Sequence, residues 1–163
     1  MATKALTLEQ ILIQLPVTPR RIAALTAGVA PAKLRKSSVA GEWSANEVLA
    51  HLRACADVWG NHIVTIIKED MPAWQAVSPR TWIEKTDYTE LDFAPSLDAF
   101  TKQRTKLMTA LGPLGRNDWS RAALVSGGGP TYERTVLYYA ERLARHERPH
   151  IKQIGRIVRT LQG

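Results

Sequence analysis

Two histidines one helical turn apart, inside an otherwise apolar stripe, constrain this chain more than any other feature. They lie in Ala144-Arg145-His146-Glu147-Arg148-Pro149-His150-Ile151. An i, i+4 spacing sets both rings on one helix face, close enough to share a metal ion. Periodicity extends a helix over roughly Thr131 to Leu161. At roughly 100° per residue, Leu143, Ile154, Ile157 and Leu161 fall within about 40° of His150, so that face points inward. Arg145, Lys152, Arg156 and Arg159 fall on the far side. Imidazoles in an apolar stripe need partners, and a metal with a third ligand from elsewhere is one solution.

The third ligand comes from the helix with the clearest start signal. Ser44-Ala45-Asn46-Glu47 fits a capping box, with Trp43 and Val48 at the positions of a hydrophobic staple. The helix is expected to run to about Glu69, before Met71-Pro72. Its inward face reads Glu47, Val48, His51, Cys55, Val58, His62 and Ile66. His51 therefore projects inward and completes a three-histidine set. Three protein ligands leave a coordination position open, the pattern of catalytic rather than structural sites. His62 lies on the same face, but eleven residues at about 1.5 Å each carry it roughly 16 Å further along. It reads as a core or rim residue, or as a support near the opposite end of the bundle.

Two more helices complete the set. Thr7-Leu8-Glu9-Gln10 is a second capping box, opening a helix through Leu8, Ile11, Leu12 and Leu15. Pro16 and Pro19 interrupt it, giving one kinked helix or two collinear pieces that end at Gly28. A linker with a short turn at Pro31 to Leu34 follows. Met71 to Pro95 is a long connection carrying Trp74, Trp82, Tyr88 and Phe93, with a short helix near Pro79 to Lys85. Its aromatics suit a substrate pocket, a dimer seam or a cap on the bundle. Pro95-Ser96 opens a further helix with Ser96 as N-cap, and Gly112-Pro113 closes it. Arg104 is the one charge on its apolar face. Gly127-Gly128-Gly129-Pro130 lacks the Gly-Lys-Ser/Thr of a phosphate loop and reads as a turn. There is little strand-period alternation. The fold class is all-α: a single four-helix-bundle domain over residues 1–163, its last helix kinked near Pro149.

These stretches resemble the DinB-like superfamily of DinB/YfiT-like metalloenzymes. The likeness rests on Gly41-Glu42-Trp43-Ser44-Ala45-Asn46-Glu47-Val48-Leu49-Ala50-His51-Leu52 and on Ala144 to Ile154, with its His-x-x-x-His-x-x-Gln-Ile pattern. In helix order it covers essentially the whole chain. The resemblance implies His51, His146 and His150 as the ligands of a divalent metal, zinc or nickel, and often a homodimer. It also implies thiol-dependent S-transferase or isomerase chemistry in some members, with a low-molecular-weight thiol as cosubstrate. Pro149 departs from a regular helix between two of the ligands. A large kink would splay the rings; a modest one would leave the pair intact.

Set against the metal reading is a polar bundle core in which the three histidines are satisfied by hydrogen bonds. Glu47 and Glu147 flank the histidines, each placed to orient an imidazole or to act as general base. Their competing roles are cap acceptor for Glu47 and a solvent-facing charge for Glu147. Cys55, one turn after His51, is either a thiolate near the metal or a small buried residue. Tyr139 lies on the same side as His146 and His150 and can border the pocket.

Charge bears on partners. The chain carries a net +7, with Arg142, Arg145, Arg148, Lys152, Arg156 and Arg159 on the last helix. That spacing makes a solvated stripe, and no zinc-finger spacing, RNP motif or aromatic-interleaved basic run accompanies it, which argues against nucleic acid. The expected partner is a small-molecule substrate, its approach favoured by basic residues if it is anionic. A lone cysteine excludes an internal disulfide, and no signal peptide or membrane span is apparent at the N-terminus, so the cytoplasm is the expected location. The alternative function is a non-catalytic bundle serving as a stress-linked binding or interaction protein.

Overall fold

The computed structural model describes residues 2–163. Four long helices make the frame: α1 (Leu8–Thr26), α3 (Ala45–Lys68), α5 (Phe93–Leu111) and α6 (Val136–Gln162). Short helices α2 (Pro31–Leu34) and α4 (Pro79–Ile83) lie in the connections. Around the bundle the order is α1, α6, α3, α5, each packed on the next and α5 closing on α1. Ile11, Leu15, Leu49, Leu52, Phe100, Leu143 and Ile154 meet in the shared core.

Both capping boxes form. Thr7 Oγ1 accepts from Gln10 N at 3.2 Å while Gln10 Oε1 accepts from Thr7 N at 2.9 Å. Ser44 and Glu47 exchange the equivalent pair at 3.2 and 2.7 Å. α1 is one helix through both prolines, not two pieces. The cost of Pro19 is met locally. Its missing N–H frees the Leu15 carbonyl, which instead accepts from Arg104 Nη1 at 2.7 Å.

Two expected boundaries move. α5 starts at Phe93 with Asp92 as N-cap, so Ser96 lies inside the helix rather than capping it. Pro95 is then in the first turn, where an absent N–H costs nothing. Ser96 is buried and accepts from Arg53 at 3.1 Å. The last helix starts at Val136 rather than near Thr131, with Thr135 Oγ1 capping Tyr138 N at 3.0 Å. The residues before it form a strand.

The four-helix bundle expected from the sequence forms, and that strand belongs to a small three-strand sheet added to it. β1 (Ala73–Gln75), β2 (Ala122–Ser126) and β3 (Tyr132–Thr135) lie in the order β1-β2-β3. β1 runs parallel to β2 with Ala73 opposite Leu124, and β2 pairs antiparallel with β3, Ala123 opposite Arg134. Gly127, Gly128 and Gly129 make the hairpin turn at φ of +107°, +76° and +139°, a run that side chains with a Cβ rarely adopt. The sheet closes one end of the bundle beside α3 and α6.

The long connection before α5 is pinned by one carboxylate. Asp57 on α3 accepts from Trp82 Nε1 at 3.0 Å, Tyr88 Oη at 2.5 Å and Gln103 Nε2 at 2.5 Å. Asp57 thus ties Trp82 and Tyr88 to α3, whereas Trp74 stacks on His62 at 4.4 Å. Among the described residues no helix is long and apolar enough to cross a membrane.

Candidate metal centre

α3 and α6 pack side by side, which brings His51 against the pair on α6. His51 Nε2 and His146 Nε2 are 3.1 Å apart. His150 completes the cluster, its ring centroid 5.0 Å from that of His51 and 4.6 Å from that of His146. α6 continues through Pro149 without a break, and the exposed proline leaves the histidine pair together. The outward side carries Arg148, Lys152, Arg156 and Arg159 exposed to solvent.

Cys55 belongs to the same cluster. Its Sγ lies 3.7 Å from His51 Nε2 and 4.0 Å from His146 Nε2. His51, Cys55 and His146 are the metal-capable group among the described residues whose donor atoms all fall within 4.8 Å of one another. Around one tetrahedral zinc, bond lengths of about 2.0 Å to nitrogen and 2.3 Å to sulfur put donors about 3.3 Å apart for N···N and about 3.5 Å for N···S. The observed separations are close to these, so the donor set fits a divalent cation. Spacing in sequence put Cys55 near the site; its approach to both imidazoles needs the α3–α6 crossing, which sequence does not display.

His150 is not in that donor group, but its ring stands beside it and is held in place. Its Nδ1 pairs with Gln153 Oε1 at 2.9 Å, one turn on. As donor to that oxygen, Nδ1 holds the proton and Nε2 keeps its lone pair, the usual device for fixing a ligating imidazole. His146 Nδ1, by contrast, is buried without a hydrogen-bond partner among the described residues. Trp43 stacks nearly parallel to His150 at 6.4 Å and stands 5.2 Å from His51, roofing the site rather than only stapling the helix start. Trp59 meets His146 edge-on at 5.1 Å.

Burial sets the charge state. It lowers the His51 pKa to about 4, helped by His150 and Arg80, and the His146 pKa to about 3, helped by His150, His51 and Arg142. Both imidazoles are neutral at pH 7, as ligation requires. Burial pushes the Cys55 thiol up to about 12, with Glu147 adding to the rise and Arg142 opposing it. Without a cation, Cys55 is therefore a neutral thiol.

Neither flanking carboxylate hydrogen-bonds a site imidazole among the described residues. Glu47 is exposed and occupied by the cap on Ser44 N. Glu147 does not face solvent; it is 1% exposed. It holds Arg104 through two hydrogen bonds, one of 3.0 Å, and accepts from Thr18 Oγ1 at 2.7 Å. Arg104, the lone charge in an otherwise apolar stripe of α5, was the signal for this pair. His62 lies outside the cluster, between Trp74 and Tyr139, its pKa lowered by burial to about 4. Tyr139 accordingly borders His62 and the sheet.

The family model of the DinB superfamily matches residues 14–154, most of the chain, and takes in all three histidines and Cys55. The chain belongs to the DinB superfamily. This DinB protein superposes on YfiT from Bacillus subtilis with a TM-score of 0.78 and 18% identity, covering 98% of this chain and 91% of that one. YfiT is described as a probable metal-dependent hydrolase with an unusual four-helix bundle topology. The chain also superposes on the mycothiol-dependent maleylpyruvate isomerase, with a TM-score of 0.69 and 17% identity over 92% of its own length. It spans 61% of that isomerase's length. At these identities the likeness is one of fold. No curated protein sequence matches the chain.

Proposed function

We propose that this DinB protein is a metal-dependent enzyme acting on a small molecule, with zinc or nickel held by His51, His146 and His150. The observation that carries the reading is the convergence of two neutral imidazole nitrogens 3.1 Å apart with a third ring fixed by Gln153. A cation there supplies Lewis acidity, lowering the pKa of a bound water or small-molecule thiol so that it is a nucleophile near neutral pH.

The chain's own residues supply the rest. Trp43 and Trp59 wall the site with apolar surface and limit water, which strengthens electrostatic interactions inside it. Gln153 holds the His150 tautomer. Glu147 is a positioning residue: its bonds to Arg104 and Thr18 fix the α6 turn that carries His146. The reaction is transfer, isomerisation or hydrolysis, and a low-molecular-weight thiol as cosubstrate agrees with the mycothiol dependence of the isomerase that shares this fold. A screen of metal-loaded protein tests this, pairing small thiols with soluble electrophiles and including cis-alkene substrates for isomerisation and esters for hydrolysis. Turnover that requires metal and is lost in His146→Ala supports it. Metal-loaded protein inert across all three reaction types would overturn the catalytic reading.

A second reading is favoured by the position of Cys55. A thiol 3.7 and 4.0 Å from two ligand nitrogens is placed to become a fourth protein donor. Four protein donors close a site and make the metal structural. Cobalt substitution separates the two: a sulfur-to-cobalt charge-transfer band that vanishes in Cys55→Ser identifies the thiolate as a ligand, and its absence leaves the three-histidine site open.

A further inference from the structure

A cavity of about 250 Å³ opens beside the metal centre, between the sheet and the start of α6. Trp59, Tyr132, Tyr138, Tyr139, Arg134 and Arg142 supply its aromatic and basic lining. Its position is not incidental. Trp59 lines the cavity and also meets His146 edge-on at 5.1 Å. Arg142 stands one turn before His146 on α6, close enough to lower its pKa.

The two guanidinium groups are spread over aromatic faces without acidic partners. Arg134 lies 4.4 Å from the ring centroids of both Tyr132 and Tyr138, and Arg142 lies 4.7 Å from that of Trp59. None of the four ion pairs formed among the described residues includes either one. The nearby acid on α6, Glu141, is taken by Leu6 N and Arg145. A guanidinium has five N–H donors. Arg142 places one on Tyr138 Oη at 2.8 Å, and Arg134 makes no side-chain hydrogen bond among the described residues. Two arginines with free donors, the half-buried Arg134 and the exposed Arg142, laid over aromatic rings around a concave site, fit a planar organic anion.

We infer that this cavity is the substrate-binding pocket and that it selects a small carboxylate with a flat, unsaturated or aromatic body. The carboxylate lies against Arg134 and Arg142. The body stacks within the walls of Trp59, Tyr138 and Tyr139. The end remote from the carboxylate points along Trp59 toward His146. The role as a substrate pocket rests on the metalloenzyme reading, whereas binding of the anion needs no metal and is testable by itself.

The test is calorimetric titration of metal-free protein with benzoate, and with benzamide as the neutral isostere. Benzoate is expected to bind in the millimolar range with benzamide about tenfold weaker, since charge-assisted hydrogen bonds are roughly twice as strong as neutral ones. Arg134→Gln and Arg142→Gln are each expected to weaken benzoate about tenfold and to leave benzamide unchanged. Arg134→Lys, which keeps the charge and disturbs the strand least, is expected to recover part of the loss. Equal binding of benzoate and benzamide, unaltered benzoate affinity in the folded glutamine variants, or no saturable benzoate binding would each overturn the pocket assignment. None of these results bears on whether the histidines bind metal, so the two readings fail separately.

Discussion

Arg104 on α5 and Glu147 on α6 meet inside the bundle as a doubly hydrogen-bonded ion pair, both side chains at most 3% exposed. The pair is joined to the proline-bearing stretch of α1. The carbonyl that the proline leaves free on Leu15 takes one Arg104 N–H, and Thr18 takes a Glu147 oxygen. Three helices are thereby tied at the level of His146. Removing one member strands a buried charge, which costs about 3–5 kcal/mol. Arg104→Met is therefore expected to destabilise by that amount in urea unfolding. Arg104→Met combined with Glu147→Leu is expected to lose clearly less, because no charge is left unpaired.

The buried imidazoles predict the pH response of the metal-free protein. Burial holds His51 at about 4, His146 at about 3 and His62 at about 4, below the 6.5 of an unfolded histidine. Between those limits the unfolded chain binds protons that the folded one refuses, so stability rises with pH. Above pH 6.5 these groups contribute no slope. As pH falls below 6.5 stability is lost progressively, down to the folded values near 4 and 3. Melting temperatures measured across this window are expected to fall on acidification, and less steeply in His62→Phe. A flat profile from pH 7 to 4 would contradict the burial of these rings.

Gln153 predicts a specific effect on metal affinity. Its Oε1 fixes the His150 tautomer at 2.9 Å. Loss of such a partner lowers metal affinity about 10–100-fold. Gln153→Leu is expected to show that weakening for zinc in a competitive chelator titration, without a change in fold by circular dichroism. Unaltered affinity would mean that His150 is not a ligand.

The helices and the inward histidines were legible because they follow from local rules: capping boxes at Thr7 and Ser44, and a 3.6-residue apolar period around His51 and His150. The sheet was not. Its strands are three to five residues long, and β1 pairs with a segment about fifty residues away, Ala73 opposite Leu124. No alternation in strands this short outweighs the helical pattern that follows Val136. The burial of Glu147 was not legible for a related reason. A glutamate at the edge of an apolar stripe looks exposed until a buried cation faces it, and Arg104 lies 43 residues away on another helix. The Cys55 thiol was placed on the correct face by spacing, but its approach to His146 depends on how α3 and α6 pack.

The central claim is that His51, His146 and His150 hold a divalent metal. The most direct test is elemental analysis of protein purified without an affinity tag or added metal, beside His51→Ala and His150→Ala. The account predicts near-stoichiometric zinc or nickel in the native protein and its loss from both folded variants. Native protein that is folded, free of metal and takes up neither zinc nor nickel when they are supplied would contradict it.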